Sequence, residues 1–96
     1  MTQHQIDKLK IIMDYYGYNN QREIFVEECA EAIQAVQKCK RATKSSESLK
    51  AFADLKQEIA DVLIMANQMK IFLGSDEIDN IINLKLDRQI KRIQEE

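Results

Sequence analysis

Two pairs of acids sit where a helical reading of the chain leaves little water for them: Glu28 with Glu31, and Glu58 with Asp61. Within each pair the spacing is three residues, which puts both carboxyls on one face of a helix. The second pair interrupts the apolar run Leu55 to Leu73, whose wheel is apolar on nearly every side, the mark of a helix covered by its neighbours. On that wheel Glu58 falls between Met65 and Met69, and Asp61 beside Phe72. In the earlier segment Glu28 falls between Ala35 and Cys39, inside the apolar arc, and Glu31 at its edge, while Glu27 points away. An unpaired carboxylate taken out of water costs several kcal/mol or more. Four of them on two apolar faces require a strong compensating charge, and a hard divalent cation is the simplest.

The donor set says which cation. It is all oxygen, because His4 is the only histidine and lies near the N-terminus. Oxygen donors select Mg²⁺, Mn²⁺ or Ca²⁺ over zinc, copper or iron, and the Glu-x-x-His pairs of di-iron bundles are missing. Magnesium keeps several waters and bridges to substrate phosphates, so a carboxylate-held Mg²⁺ points to phosphoryl chemistry. The competing reading is a helical interaction module whose acids pair with Lys85, Arg88 and Arg92. A lone Glu28 would fit that reading; the same offence on a second helix favours a shared metal site.

Four helices must position these groups. Ile6, Leu9, Ile12, Met13 and Tyr16 recur at helical spacing, predicting a helix from Gln3 to Tyr16 that Gly17 ends. Asn20 and Glu23 match a capping box, so a second helix is expected from about Gln21 to Arg41. Residues 42–48 are polar loop, with Ser46 or Ser48 as the cap of a third helix that begins around Ser48 and ends before Gly74. Ser75 is the expected cap of the fourth, with Asp76 and Glu77 in its first turn and an apolar stripe of Ile78, Ile81, Ile82, Leu86, Ile90 and Ile93.

With no proline and two glycines the 96 residues read as one small all-α domain, residues 1–96. A single core of that size is marginal, and the third helix is too apolar for three short partners to cover, so association is expected. The net charge of −2 gives no basic field for nucleic acid. Nothing resembles a signal peptide or a membrane span, which predicts a cytoplasmic location. Cys29 and Cys39 stand roughly 15 Å apart along one helix, too far to bridge, and read as free buried thiols.

Glu27-Glu28-Cys29-Ala30-Glu31, a spacer of residues 32–57, and Glu58-Ile59-Ala60-Asp61-Val62-Leu63 resemble the E-E-x-x-E…E-x-x-D signature of MazG-like, all-α nucleoside triphosphate pyrophosphohydrolases. The likeness spans most of the chain: a leading helix, two acidic helices, and a last helix with Lys85-x-x-Arg88. It implies a four-helix subunit completed by oligomerisation as a homodimer or homotetramer. It also implies hydrolysis of an NTP or dNTP to the monophosphate and pyrophosphate. Glu28, Glu31, Glu58 and Asp61 would be both the Mg²⁺ ligands (Mn²⁺ serving as well) and the catalytic acids, with Glu31 orienting or deprotonating water. Lys38, Lys85, Arg88 and Gln21 would be substrate contacts. Lys85 intrudes on an apolar face, either as a phosphate ligand or as a partner of a buried acid. Gln21 lies on the Glu28 face two turns earlier, near Tyr15, Tyr16 and Tyr18, where a base could sit. The superfamily also includes enzymes acting on phosphoribosyl-ATP, and an alarmone is a further conceivable substrate; base identity stays open.

Overall fold

Thr2 starts the chain on its first helix. Its hydroxyl accepts from the Gln5 N–H at 3.2 Å while the Gln5 side chain accepts from the Thr2 N–H at 2.9 Å, a reciprocal cap. The computed structural model describes residues 1–96 as four helices and no strand: α1 Gln3–Tyr16, α2 Tyr18–Arg41, α3 Ser45–Leu73 and α4 Ser75–Glu95. No helix is long and apolar enough to cross a membrane. The expected span of α1 is observed, and Gly17 ends it at φ 81°, a conformation that side chains other than glycine's rarely adopt.

Two helix starts differ from expectation. α2 begins at Tyr18, not Gln21, because the positive φ of Gly17 turns the chain straight into the next helix. The Asn20–Glu23 capping box is therefore not formed; Asn20 lies inside the first turn, where its side chain accepts from Gln21 Nε2 at 3.0 Å. α3 begins at Ser45 after Lys44, with no side-chain cap, so neither Ser46 nor Ser48 caps it. Ser75 is likewise the first residue of α4 rather than its cap, although Asp76 and Glu77 do occupy the first turn.

The body of the subunit is the antiparallel hairpin of α2 and α3. At one end Tyr18 meets Phe72 edge-to-face with ring centroids 5.2 Å apart. At the other end, next to the α2–α3 loop, Lys38 and Ala51 line the same cleft. The buried apolar residues are Leu9 and Met13 from α1, Ala35 from α2, and Met65 and Met69 from α3. Two amides are buried with them, Gln21 and Gln68. The Gln68 Nε2 reaches only the Met65 sulfur, at 3.8 Å. Cys29 and Cys39 are free and half-buried rather than buried.

α4 is different. It packs on α3 alone, tied near the turn by Lys70 Nζ to Asp79 Oδ1 at 2.7 Å, and contributes no buried residue. Ile81, Ile82, Leu86, Ile90 and Ile93 all remain exposed. The subunit is consequently open: its radius of gyration is 16.7 Å, against about 12.5 Å for a compact chain of this length. It exposes 7653 Å², against roughly 5,700 Å² for a compact protein of its mass.

Candidate metal centre

The hairpin brings the two acid pairs together. Glu28 and Glu31 stand one turn apart on α2, and the antiparallel run of α3 sets Asp61 beside Glu28 and Glu58 beside Glu31. One carboxylate oxygen from each of Glu28, Glu31 and Glu58 lies within 4.8 Å of the others. Asp61 stands just outside that trio, lining with Glu28, Ile64 and Met65 a small cavity of about 80 Å³. Glu28 and Glu58 form a half-buried inner pair, while Glu31 and Asp61 are exposed at the mouth.

The inner pair is orphaned. Glu28 Oε2 and Glu58 Oε2 are shielded from water and have no hydrogen-bond partner. The four ion pairs of the subunit involve none of the four acids, so the pairing that an interaction module requires is not formed. Burial pushes the Glu28 carboxyl above its ordinary range, and the charges of Glu31, Asp61 and Glu58 push it further. Glu58 is raised by burial, then by Glu31 and Asp61. Both shifts state one fact: negative charge is concentrated here with no cation in ion-pair contact with it.

The geometry fits a small hard cation. Donors at about 2.1 Å from a shared Mg²⁺ lie at most about 4.2 Å from each other, so slight side-chain rotations close the 4.8 Å set. The donors are all carboxylate oxygen, and two of the three acids, Glu28 and Glu58, each carry a buried oxygen without a partner; the third such atom of the chain is the Gln68 amide oxygen.

The other residues singled out by sequence divide. Lys38 lines a cleft of about 200 Å³ together with Glu31, Glu58 and Asp54. Gln21 is buried and bonded to Asn20, lining neither acidic cleft. Lys85 and Arg88 are exposed on α4, in no ion pair and outside both clefts; neither partners a buried acid within the subunit. A further acid absent from the sequence expectation is Asp54, one turn before Glu58 on the same face of α3, whose charge also raises the Glu58 carboxyl. Its spacing of four from Glu58 was the available signal, but it precedes the apolar run that made the other acids conspicuous. No protein-family model matches the chain, and neither curated proteins nor solved structures match it.

Proposed function

We propose that the protein is a Mg²⁺-dependent nucleoside triphosphate pyrophosphohydrolase of the MazG-like kind, converting an NTP or dNTP to the monophosphate and pyrophosphate in nucleotide-pool housekeeping. The observation that carries this reading is the pair of orphaned carboxylate oxygens, Glu28 Oε2 and Glu58 Oε2, inside a ring of acids that no protein cation pairs with. The cation, Mg²⁺ or Mn²⁺, supplies charge neutralisation of the phosphate oxygens when bound. Glu28, Glu31 and Glu58 would hold it, with Asp61, beside Glu28, completing the set. On this reading Glu31, the exposed member of the trio, also orients the attacking water and takes its proton. Lys38, on the wall of the adjoining cleft, meets the substrate's negative charge.

Homodimer or homotetramer formation belongs to the same reading. The surface in excess of a compact protein's is about 2,000 Å², the scale of an obligate interface. Assembly is also the route by which Lys85 and Arg88 could approach a site, that of a second copy. The test is a panel of NTPs and dNTPs with Mg²⁺, scored for pyrophosphate release. Turnover of at least one, lost in Glu58→Gln, is expected; no turnover of any NTP or dNTP removes the proposal, and turnover of phosphoribosyl-ATP or an alarmone instead favours the rival substrate reading.

A further inference from the structure

At the closed end of the α2–α3 hairpin a cleft of about 270 Å³ is lined by Lys38, Arg41 and Lys50, with Glu47 and Asp54. Two of these, Lys38 and Asp54, also line the neighbouring cleft that holds Glu31 and Glu58. The two hollows therefore share a wall and form one furrow. Its charge changes sign along its length. Near the metal centre three acids, Glu31, Glu58 and Asp54, face one cation; at the loop end three cations face two acids.

These cations are available. Lys38 and Arg41 take part in no ion pair. Lys50 has one contact, 4.0 Å to Asp54, between side chains that are both exposed, a geometry that contributes little. The dipole of α2 accounts for Lys38 and Arg41 at its C-terminal end, but Lys50 lies near the N-terminal end of α3, where the dipole favours acids. Along α2, Lys38 and Arg41 follow Glu31 by roughly 10 and 15 Å. Long side chains on a helix lean toward its N-terminus, and Lys38 accordingly lines both clefts while Arg41 lines the loop-end one.

We infer that this cleft is the subsite for the distal phosphoryl groups of the substrate and holds the departing pyrophosphate, with Arg41 and Lys50 as its ligands. The inference rests on the proposed pyrophosphohydrolase reading and gives the substrate a direction. The phosphate chain runs from the acids toward the α2–α3 loop, and the nucleoside lies toward the Tyr18–Phe72 end. A nucleotide with a long phosphate tail then gains contacts that a monophosphate cannot make.

Calorimetric titration of the full chain with pyrophosphate and with inorganic phosphate, each with Mg²⁺, tests this. Pyrophosphate should bind the wild type more tightly than phosphate, and Arg41→Ala or Lys50→Ala should each weaken it about tenfold, the scale of one charge-assisted contact. The phosphate titration should barely change. A parallel melting curve with and without Mg²⁺ keeps the two ideas apart. If Mg²⁺ raises the melting temperature but the variants bind pyrophosphate as the wild type does, or the wild type binds none, the subsite is refuted and the metal centre stands. If Mg²⁺ has no effect, the centre itself fails and the subsite with it.

Discussion

The α2–α3 hairpin and α4 are built from similar alphabets and meet opposite fates. In the hairpin, polar groups are taken out of water: Glu28 and Glu58 each lose the solvation of one oxygen, and Gln21 and Gln68 are buried outright. In α4, apolar groups are left in water, with Ile82, Leu86, Ile90 and Ile93 all exposed. Each arrangement is unfavourable for the subunit taken alone. The difference teaches that the subunit has two separate deficits, one of positive charge and one of covering surface. On the proposed reading a bound cation would relieve the first and a second copy of the chain the second.

The strongest way to break this contrast is at the charged end. Glu58→Gln should lower turnover at least about 100-fold, the upper range for groups that merely orient a metal ligand. In the metal-free protein the same substitution should raise the melting temperature, because it removes a buried charge from the company of Glu31 and Asp61. Calorimetry of the two forms checks both signs. A variant that is inactive and also less stable without metal would make Glu58 a structural residue.

Met65→Ala tests the packing beside the acids, where Met65 lines a cavity with Glu28 and Asp61. Met65 is 5 % exposed, and truncating such a side chain costs about 2–5 kcal/mol, read by urea denaturation. At the uncovered end, Ile90→Lys should change an isolated subunit by no more than about 0.5 kcal/mol. In an assembly that covers α4 it should split the oligomer, with a fall in sedimentation coefficient at micromolar concentration. An unchanged sedimentation profile would leave α4 in water.

Very little of the hairpin's chemistry was hidden in the sequence, and nearly all of α4's placement was. Glu28, Glu31, Glu58 and Asp61 were legible because helical periodicity alone sets them against Met65, Cys39 and Phe72. A tight antiparallel hairpin that buries those faces brings the acids together, because both pairs stand at similar distances from the α2–α3 loop. Asp54, Arg41 and Lys50 were not legible as parts of a furrow, since they lie on polar stretches where a solvated residue is the ordinary outcome. Asn20 and Glu23 imitate a cap and point to a later start for α2, while the deciding feature is the backbone of Gly17. Where α4 goes depends on the turn at Gly74, φ 123°, and a helix with an apolar stripe gives no sign of whether its own subunit or another covers it.

Two smaller effects sharpen the contrast. Glu28 and Glu58 hold their protons more tightly folded than unfolded, so the metal-free protein is favoured below the ordinary carboxyl value of 4.5 and loses that advantage as pH rises through the raised values. Its stability should therefore decline above pH 4.5 without metal, and added Mg²⁺ should offset the decline increasingly as the acids ionise. Thermal melts across pH with and without Mg²⁺ measure this. Far from both regions, Thr2→Ala removes the cap of α1 and should cost about 1 kcal/mol, visible as lost helicity near the N-terminus.

The most direct measurement is the melting temperature of the wild type and of the Glu28→Gln, Glu58→Gln double variant against Mg²⁺ and Mn²⁺ concentration at neutral pH. Converging, orphaned carboxylates predict a melting temperature that climbs with the logarithm of metal concentration in the wild type and stays flat in the variant. A wild type that ignores both ions, or a variant that responds as strongly, would contradict a metal centre between these helices.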